Sequence, residues 1–324
     1  MKKLYIKIVI FLSPFLINVL IIFLVDPYNF FNVSHIFPDA DKKKCLGRTM
    51  VSTPRGNICW KTLEYERNPV DVILIGDSRM VHINNEIANQ IMEEKVYNFS
   101  IPGGNVRTLN DLFWLAAKNK NLKKVFIQVA FLNSSKNVNY DLMESINKFK
   151  RDPITYLYDK DIIIDSWVNL YYHFSRDEDV VNIDVREKDV DLWKRAEYLV
   201  NNRLAVFEYS DEFTRQLKHI SEYCHVHNIE LCFIFLPTYY KFQDKLKEYH
   251  LSEEYNNFHK FLSSLGNTIE LDTMKNFCKN RNNYRDYFHF QYSILDSVTR
   301  MTWREAKKLE LLPAKLEQNN NFPK

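Results

Sequence analysis

Four consecutive apolar, mostly β-branched residues, Val72-Ile73-Leu74-Ile75, with Val70 ahead of them across Asp71, read as a buried strand at 70–75. Further short strands are expected at 124–132 and 230–236, largely apolar, and at 96–101 and 268–272, where apolar and polar residues alternate. Between them the apolar positions change to helical spacing, as in Leu109, Leu112, Phe113 and Ala116, and helices are expected over 79–94, 107–119, 191–228 and 252–264. Strand alternating with helix is the rhythm of a parallel sheet covered on both faces. The pattern predicts an α/β fold: a doubly wound, flavodoxin-like five-stranded parallel sheet in the order 2-1-3-4-5, with helices on both faces.

Two stretches break the rhythm. Leu4 to Val25 is apolar apart from Lys7 and a few small polar residues, long enough to cross a membrane as a transmembrane helix. Lys2, Lys3 and Lys7 lie at its start and Asp26 closes it, so the positive-inside tendency places the N-terminus in the cytoplasm and the rest outside, as a single-pass protein. A cleaved signal peptide is the rival, but the run exceeds an h-region of about 7–15 residues and no small-x-small site follows. Asp26-Pro27-Tyr28-Asn29-Phe30-Phe31 reads as an aromatic turn at the membrane surface, and 32–69 as an irregular lead-in. The second break, 134–190, holds helical patches and a charged loop, an insertion over the carboxyl edge of the sheet. The expected organisation is an anchor at 1–28, a juxtamembrane lead-in at 29–69, an α/β domain at 70–312 with its insertion, and a tail at 313–324.

Composition narrows this only a little. The chain has 324 residues, 46% of them hydrophobic, enough for one large core, and its net charge of +3 gives no case for nucleic-acid binding. Cys45, Cys59, Cys224, Cys232 and Cys278 match no zinc spacing; Cys45 with Cys59 could bridge, or all five could stay unlinked. Cys224, His225 and His227 have no complementary cluster, so no metal site is assigned. Trp60, Trp114, Trp167, Trp193 and Trp303 read as core or interface aromatics, with a tryptophan of the insertion open to stacking on a sugar ring.

Candidate chemistry gathers where strands end. The first strand stops at Gly76-Asp77-Ser78, and a serine at such a corner projects from the carboxyl edge, where open α/β sheets hold ligands. If a helix starts at Arg79, the Ser78 N–H belongs to its N-terminus and suits a developing oxyanion; the plainer alternative is that Asp77 or Ser78 is a cap. Asp77 is expected to hold the turn and Arg79 to be a surface residue. Pro102-Gly103-Gly104-Asn105 after the second strand can bring bare amides close to a ligand. Near the C-terminus, Asp286 and His289 stand three residues apart in a loop that can reach the same edge. A serine needs a base within hydrogen-bond reach, and the base needs a third group to fix its tautomer.

Ile-Gly-Asp-Ser, the glycine turn and Asp-x-x-His-Phe, in this order on an α/β scaffold, resemble the SGNH (GDSL) hydrolase superfamily over roughly 70–300. The resemblance implies Ser78 as nucleophile and oxyanion amide, His289 as base, Asp286 as its orienting group, and Gly103 as a second oxyanion donor. It implies no cofactor. The third motif departs: where the family carries Gly-x-Asn-Asp, this chain has Ala130-Phe131-Leu132-Asn133-Ser134, with Asn133 as the stand-in donor and Asn105 a weaker one. The anchor, the Asp-Pro-Tyr turn and Arg after the serine look like the membrane-anchored envelope type, similar to D-alanyl-transfer proteins of teichoic-acid modification and alginate O-acetylation proteins. That likeness implies an acylated glycan or acyl donor as ligand and a multi-pass membrane O-acyltransferase as partner. Three readings stay open: an esterase or O-acyltransferase working through an acyl-enzyme, a non-catalytic glycan-binding domain or scaffold for a membrane acyltransferase, and a plain anchored α/β domain in which Ser78 is a cap and His289 a core residue.

Overall fold

The computed structural model describes residues 2–47, 52–137, 141–181 and 191–310. The chain divides into two compact units, Met1–Asn68 with Asp141–Val190, and Pro69–Tyr140 with Asp191–Lys324. The tail expected at 313–324 and most of the charged loop before 191 lie outside the described residues.

The second unit carries the sheet. Its strands are β1 (Val72–Ile75), β2 (Val96–Asn98), β3 (Lys124–Val129), β4 (Glu230–Phe235) and β5 (Asn267–Glu270), all parallel, in the order β2-β1-β3-β4-β5. This is the expected α/β topology. Each strand is shorter than the stretch expected for it, and hydrogen bonding can run on past its end. After β2, for instance, Phe99 and Ile101 still donate to Leu74 O (2.7 Å) and Gly76 O (3.0 Å). β1 is buried along its whole length, and its alternating side chains feed two cores. Val72 and Leu74 pack with the helices Asn85–Met92 and Leu295–Glu310, where Trp303 is fully buried against Phe126 (ring centroids 5.0 Å). The helices Val106–Ala116, Asp211–Val226 and Ser252–Leu265 contact one another or the sheet and supply the other layer.

The helix expected from Arg79 begins later. Residues 78–83 form successive turns, and the helix starts at Asn85 with Asn84 as its cap, accepting from Glu86 N and Ile87 N. Met80, Val81 and Ile83 imitate a helical stripe, but the capping signal Asn-Asn-Glu lies after them.

In the first unit, α1 (Lys2–Val25) contains the span Ile6–Val25, long and apolar enough to cross a membrane and largely unburied. The lead-in is not irregular. It forms α2 (Asp39–Cys45) and α3 (Ser52–Arg67), which join α4 (Glu144–Arg151), α5 (Ile154–Tyr158) and α6 (Lys160–Ser175). Helix α3 escapes periodicity because nearly all sides of it are buried, from Gly56 through Trp60 and again at Thr62, Leu63 and Tyr65. The Asp26–Asn29 part of the turn is packed into this unit, with Phe30 and Phe31 half-buried. Asp26 is fully buried and accepts from Phe30 N (2.7 Å), Asn32 N (2.8 Å) and Tyr156 Oη (3.0 Å). Tyr28 is likewise buried and donates to Asp165, which Arg55 also holds at 2.6 Å. All five cysteines are free and buried, Cys45 and Cys59 included.

Candidate active site

The corner after β1 is fixed by close approach. A Cβ on Gly76 would lie 2.9 Å from Ser100 Oγ and 3.0 Å from Gln128 Oε1, so only glycine brings the chain this near. Gln128, buried on β3, accepts from Asp77 N (2.9 Å). Asp77 accepts at Oδ1 from its own turn, Arg79 N at 3.0 Å, and from Arg79 Nε at 3.1 Å; its Oδ2 meets Arg79 Nη2 at 3.0 Å. The same guanidinium donates to Val129 O at the end of β3 (3.2 Å). Arg79 is therefore buried rather than a surface residue. Burial alone would raise the Asp77 pKa; the charge and hydrogen bonds of Arg79 outweigh it and hold the carboxyl below its usual range. Asn98 on β2 completes the frame, donating to Met80 O (2.8 Å). Ser78 is thus mounted on three adjacent strands.

His289 comes from a loop closed by an isolated bridge between Tyr284 and Phe290 and by Arg285 N donating to His289 O (2.8 Å). Tyr239, just past β4, donates from its backbone to Tyr287 O (2.9 Å), tying the loop to the sheet. Inside it Asp286 uses both oxygens. Its Oδ1 accepts from Phe288 N (2.8 Å) and His289 N (2.9 Å), and its Oδ2 meets His289 Nδ1 at 2.7 Å. Burial pushes the Asp286 pKa up, but the His289 hydrogen bond and charge, with the two backbone donors, bring it below the ordinary carboxylate value. His289 Nε2 then lies 2.7 Å from Ser78 Oγ, across 211 residues of chain. Asp286 is buried while the His289 side chain, in the middle of this hydrogen-bonded row, is 39% exposed and Ser78 is half-buried, so the row opens to solvent from the imidazole outward.

The structure brings Ser78, His289 and Asp286 together. The glycine turn adjoins them: a Cβ on Gly104 would lie 3.0 Å from Gly76 O and 3.7 Å from Asp77 Cα. Gly103 has φ 73°, a conformation that suits glycine. Asn133, in the turn after β3, donates from Nδ2 to Gly104 O (3.0 Å), so it sits at this turn with one amide hydrogen committed. Asn105 is the cap of the helix Val106–Ala116, its Oδ1 accepting from Thr108 N (2.9 Å). The Ser78 N–H has no acceptor among the described residues. It belongs to a turn, not a helix, so no helix dipole assists it.

Sequence reasoning missed Gln128, Asn98 and the burial of Arg79. A signal for the first two existed: each is a polar residue inside or at the end of an otherwise apolar strand, and a buried amide must find partners.

The chain matches no protein-family model and no curated protein. Among solved structures it is similar to the lipase/acylhydrolase from Enterococcus faecalis, with 11% identity and a TM-score of 0.37 over 74% of this chain and 95% of that one. It is also similar to a protein assigned as an acylhydrolase from Bacteroides fragilis, at 11% identity and TM-score 0.40 over 76% and 90%. A third is a protein assigned to the lipolytic G-D-S-L family from Desulfitobacterium hafniense, at 12% identity and TM-score 0.37 over 72% and 97%. The chemistry of the site rests on its own geometry.

Proposed function

We propose that this chain is a membrane-anchored serine esterase or O-acyltransferase that works through an acyl-enzyme on Ser78. The observation that carries the reading is the unbroken row from Ser78 Oγ through both ring nitrogens of His289 to Asp286, each step 2.7 Å. With the imidazole proton held on Nδ1 by Asp286, Nε2 is free to accept the serine proton as Oγ attacks an ester carbonyl. The resulting oxyanion takes hydrogen bonds from the N–H groups of Ser78 and Gly103, with the second Asn133 amide hydrogen as a further donor. Collapse breaks the ester bond; His289 returns the proton to the departing alcohol, and the acyl group stays on Oγ. Water or an acceptor hydroxyl, deprotonated in turn by His289, then takes the acyl group and frees the serine.

The apolar span of α1 and the lysines at its start support an N-terminus in the cytoplasm and a site outside it. On that topology the substrate is an acyl ester of a cell-envelope glycan, and a multi-pass membrane O-acyltransferase is the matching source of acyl groups. A fluorophosphonate probe tests the core of the reading, because only an activated serine reacts. The full chain in detergent should label in a Ser78-dependent way, with Ser78→Ala unlabelled. A folded wild-type chain that fails to label would instead favour a non-catalytic, glycan-binding or scaffold role.

A further inference from the structure

Helix α6 is built inside out. Its buried positions are polar in large part: Asp165, Ser166 and Asn169 all face the interior. Each has an internal partner. Asp165 meets Arg55 and Tyr28, Ser166 donates to Ile162 O at 2.7 Å, and Asn169 donates to Asp165 O at 2.8 Å. The outward face is Ile164, Trp167, Tyr171 and Phe174, which are 45%, 44%, 53% and 77% exposed. They fall at helical spacing on one stripe about 15 Å long with no charge within it. Exposed Lys160 and Arg176 bracket the stripe at its two ends. Ile162 and Tyr172 are buried in the ordinary way, but at these other positions the arrangement is unfavourable in water, since it hides polar groups and wets apolar ones.

A second observation says what covers the stripe. Trp167 Nε1 donates to Asn18 Oδ1 (2.9 Å), and Asn18 lies inside the apolar span of α1, about 10 Å short of its end at Val25. Whatever solvates α1 at that level also meets Trp167.

We infer that α6 is a membrane-interface helix, its Ile164–Phe174 face seated in the lipid of the bilayer beside α1. The proposal rests on the reading of α1 as a membrane span. Aromatic residues at the stripe match the headgroup level, where an apolar face sinks about 5–10 Å, and the bracketing cations reach back to water. The anchor is then a two-helix foot rather than a single tether.

Single-site labelling separates the two readings. The native cysteines are buried, so a fluorescent nitrobenzoxadiazole thiol reagent reports on an introduced one. Leu16→Cys probes α1, Tyr171→Cys and Phe174→Cys probe α6, and exposed Glu253→Cys serves as the aqueous control. The full chain is reconstituted alone in phosphatidylethanolamine–phosphatidylglycerol vesicles, with nitroxide-bearing lipid or aqueous iodide as quencher. The labels at 16, 171 and 174 should be quenched by the lipid nitroxide and several-fold less by iodide than the label at 253. Lipid quenching at 16 with iodide quenching at 171 and 174 would overturn the interface helix and leave the anchor intact. Iodide quenching at all four sites would overturn both. Because no other protein is present, a stripe that instead serves a protein partner would give the wet result.

Discussion

Replacing Ser78 or His289 by alanine should lower ester turnover by roughly 10⁴- to 10⁶-fold, the range expected when one member of a unit that acts together is removed. Asp286→Asn should cost about 10⁴-fold by a different route. The asparagine Oδ1 can still accept from Phe288 N and His289 N, so the loop keeps its shape. Its amide nitrogen, however, would face His289 Nδ1 in place of Oδ2 and present hydrogens there. The ring would then have to carry its proton on Nε2, the atom that must take one from Ser78. Initial rates on a chromogenic acetyl ester measure all three. A Ser78→Ala rate within tenfold of wild type would place the chemistry elsewhere.

The second large effect is on stability. Arg79→Met should destabilise the fold by about 3–5 kcal/mol near neutral pH, because Asp77 would keep its charge and lose its buried counter-ion. The pH dependence carries a sign. In the native chain the folded pKa of Asp77 lies below its ordinary value, so its contribution is complete above about pH 4 and is lost as pH falls through the folded pKa. In the variant burial is opposed only by the backbone N–H of residue 79 and by His289, so the folded pKa rises from its native position and the penalty is relieved as pH falls toward it. The gap between the two proteins should therefore shrink on acidification, and Asp77→Asn with Arg79→Met should recover much of the loss. Urea unfolding at pH 7 and pH 4.5 reads both. A gap below about 1 kcal/mol, or one independent of pH, would mean that the pair is not the clamp described.

The sheet and its strand order were legible because β1, β3 and β4 advertise themselves as short apolar runs and parallel strands need helices between them. The meeting of Ser78, Asp286 and His289 at one corner was legible because each sits next to a strand end or in a loop. Other features were hidden for physical reasons. Nothing local in Arg79 distinguishes a buried guanidinium from an exposed one; only the Val129 carbonyl, fifty residues away in sequence, makes the difference. Helix α3 has no amphipathic stripe, since it is covered around most of its girth. In α6 the pattern of apolar positions was present, but its facing is reversed, and a periodicity tells which residues share a face without telling which face is inside.

On the proposed mechanism Ser78 becomes covalently acylated. Mixing the full chain with an activated acetyl ester, quenching in acid within the first turnovers and mapping peptides by mass spectrometry tests it directly. The expected result is one acetyl group on the peptide containing Ser78, absent from Ser78→Ala and from His289→Ala. Turnover with no adduct on Ser78, or an adduct that persists at full occupancy in His289→Ala, would contradict it.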